Sequence, residues 1–95
     1  MYARLNIMNM GPGQREFAEG VADKVAPAMR ALKGFQSVTF IGDFETGEVG
    51  GLSIWETKED ADEAGKAMAW LQELVGDKLK GPPDIKVFEV YEPKT

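Results

Sequence analysis

An α+β fold with one antiparallel sheet and both helices on a single face of it is predicted by three features of this 95-residue chain. Both ends carry stretches of two-residue alternation, two stretches of helical period lie between them, and a pair of β-rich segments is joined by a short turn. Local punctuation at Gly11-Pro12-Gly13, Lys33-Gly34, Thr46-Gly47 and Gly81-Pro82-Pro83 cuts the chain into six segments.

The first segment, Tyr2 to Met10, alternates Ala3, Leu5 and Ile7 against Tyr2, Arg4, Asn6 and Met8, and is predicted to be a strand. From Gln14 to Lys33, the residues Phe17, Val21, Val25, Ala28, Met29 and Leu32 fall within an arc of about 120° at helical period. This is an amphipathic helix; Gly34 is placed to end it, and Pro27 is expected to kink it or split off its last turns. Phe35 to Phe44 and Glu48 to Trp55 are rich in β-branched and aromatic residues, and Glu45-Thr46-Gly47 joins them as a hairpin. Thr57 is a good N-cap, with Asp60 in the capping-box position, for a helix expected to run to about Val75. Ala61, Ala64, Met68, Leu71 and Val75 form its apolar stripe. Ile85 to Tyr91 alternates again as a last strand.

The order β-α-β-β-α-β over this length means a ferredoxin-like fold, a four-stranded antiparallel sheet of order 4-1-3-2. No linker or internal repeat is visible, so residues 1–95 read as one domain.

Composition excludes much. There is no cysteine and no histidine, which removes disulfides, thiolate metal sites, His-containing triads and the commonest metal ligand. A net charge of −5 is the wrong sign for tracking phosphates, so nucleic acid is not an expected partner. No stretch approaches a membrane span and the N-terminus is not a signal peptide, so a cytoplasmic protein is expected. The run Glu59, Asp60, Asp62 and Glu63 favours a helix N-terminus rather than a cation site, because its carboxylates are adjacent rather than converging. No metal or cofactor is expected.

The helices can cover only one sheet face. The alternation assigns Ala3, Leu5, Ile7, Phe88 and Val90 to the covered face. It leaves Tyr2, Arg4, Asn6, Met8, Ser53, Trp55, Glu89 and Tyr91 on the open one, with an Arg4–Glu89 ion pair across adjacent strands. A domain of this size buries only about two-thirds of its unfolded surface. A homodimer closed through the open sheet face would supply the missing core.

Gly34-Phe35-Gln36-Ser37-Val38-Thr39-Phe40 and the segment Thr46-Gly47-Glu48-Val49 through Leu52-Ser53-Ile54-Trp55-Glu56-Thr57 resemble the antibiotic-biosynthesis-monooxygenase (ABM) family. That family opens its second strand with Pro-Gly-Phe and ends its third in Trp-Glu before an acidic helix; here Lys33 replaces the proline. The Ala26-Pro27-Ala28-Met29 segment is similar too. The resemblance implies a dimeric α+β barrel with a ligand cavity between the sheet and helices of each protomer. It also implies cofactor-independent monooxygenation of an aromatic or polyketide-like molecule as a candidate activity.

The haem-degrading branch of the family uses an Asn on the first strand with a Trp and a His on the second helix. Here the corresponding helix positions fall near Ala64 and Leu74, and Trp70 is about 120° round the helix from Ala64. That mechanism is disfavoured. Cofactor-free oxygenation needs only an apolar pocket and polar groups to hold an oxyanion. The candidate substrate-binding residues are Asn6, Arg4, Trp55, Tyr91 and Trp70; no catalytic residue is assigned. Each also has a packing explanation: Trp55 and Tyr91 in the core or interface, Asn6 at a dimer seam, Arg4 paired with Glu89. Trp70 sits on an acidic helix face, as a partly exposed side chain, a contact with the C-terminal segment, a subunit contact or a lid. A non-catalytic dimeric module that binds a ligand or a protein partner is the alternative reading. An enclosed apolar cavity with at least two inward polar groups favours the enzyme; an interior filled by Met and Phe favours the module.

Overall fold

The computed structural model describes residues 1–93. It contains β1 (Tyr2–Asn9), α1 (Arg15–Arg30), β2 (Phe35–Asp43), β3 (Glu48–Trp55), α2 (Lys58–Ala67), α3 (Trp70–Val75), a 3-10 turn (Gly76–Lys78) and β4 (Asp84–Glu89). The sheet order is β2-β3-β1-β4 and every pair is antiparallel, as the ferredoxin-like reading requires.

Local chemistry accounts for the boundaries. The β2–β3 turn is organised by Asp43, whose carboxylate accepts from the backbone N–H of Glu45 and Thr46. Gly47 closes the turn at a φ of 88°, and a side chain there would collide with the backbone of Gly11. Met10 N–H donates to the Gly47 carbonyl at 2.8 Å, tying the end of β1 to the hairpin. Thr57 caps α2, its hydroxyl accepting from Asp60 N–H at 3.0 Å.

Two expectations about the helices are corrected. Of the two outcomes expected at Pro27, the split does not occur: α1 runs unbroken to Arg30, with Pro27 exposed within its last turn. The second helix does break, at Met68-Ala69. There the hydrogen bonds from Ala69 to Lys66, Leu71 to Met68 and Gln72 to Ala69 tighten to the 3-10 pattern before α3 begins. The break keeps Leu71 and Val75 directed at the core although the stripe spans two axes. Val75 is 1% exposed.

The face assignment is reversed. Cross-strand registers put Ile85, Asn6, Gly51 and Phe40 in one row, and Val87, Arg4, Ser53 and Val38 in the next. These rows face the helices: Ser53, Trp55, Val49 and Met8 are buried and pack with Val21, Val25, Met29, Ala61, Ala64 and Met68. Ala3, Leu5, Ile7, Leu52, Ile54, Ile41 and Phe88 lie on the other face, where Leu52, Ile41 and Phe88 stay exposed. The expectation failed because it took the more apolar set of β1 for the side under the helices. The expected Arg4–Glu89 ion pair is not among those of the described residues. Arg4 stands opposite Val87 and reaches towards α2, whereas Glu89 stands opposite Tyr2 and is exposed.

Among the described residues, no helix is long and apolar enough to cross a membrane.

Candidate functional site

Between the sheet and the helices lies a cavity of about 270 Å³. Its floor is the β1–β3–β2 part of the sheet, with Arg4, Asn6, Met8, Ser53 and Phe40. Its walls come from the apolar stripe of α1, with Val21, Val25 and Met29, and from Leu71 of α3. A second lobe of about 180 Å³ runs under α2, α3 and β4, bounded by Gly65, Met68, Gln72 and Ile85. Arg4, Asn6, Met8, Met29 and Leu71 border both lobes, so the two polar side chains of β1 stand at their junction.

The space has a sequence origin. Gly51 stands between Asn6 and Phe40 in the sheet row beneath the larger lobe, so the floor is missing one side chain. A Cβ there would have the Phe40 ring and the Thr39 carbonyl as its nearest neighbours, at ordinary contact distance. A glycine weakens a strand interior because it has no side chain to pack, and here the side chain it omits leaves space over the cavity floor. Gly65 is a second glycine bordering the space. It lies in the middle of α2, where glycine costs about 1 kcal/mol against alanine. A Cβ at that position would sit 3.0 Å from Arg4 Nη2 and 3.4 Å from Nε. The missing methyl lets the guanidinium lie against the helix backbone.

Arg4 makes no ion pair among the described residues. Burial pulls its pKa below the ordinary guanidinium value, partly opposed by the charge of Asp62. An arginine still holds its proton under such conditions, so the junction carries a positive charge beside largely apolar walls, on a half-buried side chain in a cavity partly open to solvent. Beside it, Asn6 Oδ1 is buried without a hydrogen-bond partner. Ser53 is satisfied: it accepts from Trp55 Nε1 at 2.8 Å and donates to the Arg4 carbonyl at 3.3 Å.

Of the five residues singled out from sequence, the structure brings Arg4 and Asn6 together at the cavity. Asn6 therefore points towards the helices, contrary to the alternation reading. Trp55 is fully buried behind Ser53, edge-on to Phe35 with ring centroids 5.6 Å apart. It borders neither lobe and supports the floor. Trp70, 38% exposed at the start of α3, and Tyr91, 80% exposed beyond β4, border neither lobe either. The interior is thus an open space with two inward polar side chains, rather than one filled by Met and Phe.

No family model matches the sequence, and no curated protein matches it. Solved structures do. A protein from Nitrosomonas europaea named as a candidate antibiotic biosynthesis monooxygenase superposes with a TM-score of 0.82 at 10% identity, covering 97% of this chain and 100% of that one. The structure of Rv0793 from Mycobacterium tuberculosis gives 0.79 at 18% identity, over 99% and 98% of the two chains. The monooxygenase ActVA-Orf6 of Streptomyces coelicolor, in complex with the ligand nanaomycin D, gives 0.79 at 21% identity, over 99% and 90%. The chain has the ABM-like ferredoxin fold of these proteins.

Proposed function

We propose that this chain is an ABM-type enzyme that binds an aromatic or polyketide-like small molecule between its sheet and helices and oxygenates it without a cofactor. The observation that carries this reading is the cavity itself: apolar walls over a floor that presents Arg4 and Asn6. The nanaomycin D complex of a protein of the same fold supports it. The chemistry asks little of the protein. An ionised phenolic ring donates an electron to O₂, the radical pair joins at a ring carbon, and the hydroperoxide loses water to leave a carbonyl. One oxygen atom enters the product and the other leaves as water. The apolar walls shield one side of the intermediate from water, and a cation on the floor stabilises the oxyanion.

The same reading includes a homodimer, closed through the face carrying Leu5, Ile7, Leu52, Ile54 and Phe88 rather than the polar face expected from sequence. The centre of this face is apolar, flanked by Lys86 and Asp84 on β4 and by Thr39 and Ser37 on β2, and an apolar patch with a polar rim is seldom left in water. The lack of cysteine supports a cytoplasmic setting.

The test is oxygen uptake with naphthols and hydroxyanthrones as substrates. The expected result is enzyme-dependent consumption of one O₂ per quinone formed, lost in Gly51→Leu, whose side chain fills the floor. Saturable binding of the same compounds without oxygen uptake would leave a ligand-binding module instead.

A further inference from the structure

The space between the sheet and the helices is divided in two, and the division can be traced to particular residues. One cross-strand row runs beneath both lobes: Ile85 of β4, Asn6 of β1, Gly51 of β3 and Phe40 of β2. Its ends lie three strand spacings apart, about 14 Å. Ile85 borders only the smaller lobe, Gly51 and Phe40 only the larger, and Asn6 both, so β1 marks the boundary. The larger lobe has Gly51 beneath it and the smaller has Gly65 beside it, whereas no glycine borders both.

The apolar side chains that border both lobes are Met8 of β1, Met29 of α1 and Leu71 of α3. The two methionines are long and unbranched and re-pack readily, whereas a leucine has few rotamers and holds its shape. Leu71 owes its place to the helix break: the 3-10 bonds at Met68-Ala69 start a new axis, and Leu71 is the second residue on it. Leu74, on the same short helix, borders neither lobe.

We propose that Leu71 sets the length of the ligand. It divides the cavity, so that a compact fused-ring molecule fills the larger lobe and one extended by a further aryl group along the sheet row is refused. This deepens the function proposed above and rests on its reading of the cavity as the substrate site. At about 270 Å³ the larger lobe is at the small end of ligand pockets. Without the Leu71 side chain it becomes continuous with the smaller lobe of about 180 Å³.

Binding is measured by isothermal titration calorimetry at neutral pH with two uncharged phenols, 2-naphthol and 6-phenyl-2-naphthol. The second is longer by one ring along its axis. Its extra apolar surface favours it in any cavity that can hold it, so hydrophobicity alone and a divided cavity give opposite orders. The wild-type protein is expected to bind 2-naphthol the more tightly by roughly tenfold or more, the scale of one mismatched group in an apolar pocket. Leu71→Ala is expected to remove that preference by tightening 6-phenyl-2-naphthol roughly tenfold or more, with 2-naphthol held within about threefold of wild type. Leu74→Ala makes the same truncation on the same helix away from the cavity, and is expected to leave the ratio of the two affinities unchanged. The wild-type order needs no variant and stands if a substitution fails to fold. Equal wild-type affinity for the two phenols, or Leu71→Ala and Leu74→Ala that change the ratio alike, overturns the role of Leu71 while leaving the cavity as an aromatic site. Binding of neither phenol overturns both.

Discussion

Removing the Ser53 hydroxyl is expected to weaken the fold through Trp55, not through the lost serine itself. Trp55 is fully buried, and its Nε1–H has one partner among the described residues, Ser53 Oγ at 2.8 Å. Ser53→Ala leaves that donor in an apolar surrounding, at a cost of about 1–3 kcal/mol. The 3.3 Å bond from Ser53 Oγ to the Arg4 carbonyl is long and adds little. Trp55→Phe removes the donor along with part of the indole volume, and costs about 1–2 kcal/mol for the space it leaves. With the donor gone, adding Ser53→Ala should cost less than about 0.5 kcal/mol, so the pair is coupled by about 0.5 kcal/mol or more. Urea unfolding followed by far-UV circular dichroism, at fixed protein concentration, reads the wild type, both single variants and the double variant. A cost for Ser53→Ala that is the same with Trp55 in place as in the Trp55→Phe background would refute the reasoning.

Three further outcomes are expected. Asn6→Leu should stabilise the unliganded protein by about 1 kcal/mol, because it replaces an unpartnered buried acceptor with an apolar group; a loss of melting temperature would contradict this. Leu52→Glu, at the centre of the open sheet face, should shift the sedimentation of a dimer to that of a monomer with its circular dichroism retained; unchanged sedimentation places the interface elsewhere. Gly47→Ala should cost more than about 2 kcal/mol, since it combines left-handed strain with a collision against Gly11; a near-neutral midpoint would mean that the turn relaxes freely.

The architecture was legible from period and punctuation. Alternation located β1 and β4, the 3.6-residue stripe located α1, and Thr57 with Asp60 marked the start of α2, because each is a local preference that the tertiary structure leaves intact. What was misread depends on surroundings a single strand cannot report. Ala3, Leu5 and Ile7 are the more apolar side of β1, and a hydrophobicity rule turns them inwards. They instead form the outer face, while Arg4 and Asn6 are turned under the helices to border a cavity. The legible traces were the residues that waste propensity: Gly51 inside a strand and Gly65 inside a helix, each without a side chain beside the cavity. The break at Met68-Ala69 left no trace in composition, because the apolar stripe passes through it unchanged.

The central claim is that a small aromatic molecule is held between the sheet and the helices at Arg4 and Asn6. Titrating 2-naphthol into isotope-labelled protein and following the amide and methyl resonances tests it most directly. Saturable shifts at Arg4, Asn6, Gly51, Met8 and Met29 are predicted, with Leu5, Leu52 and Phe88 on the opposite face undisturbed. Shifts confined to that opposite face would contradict the account.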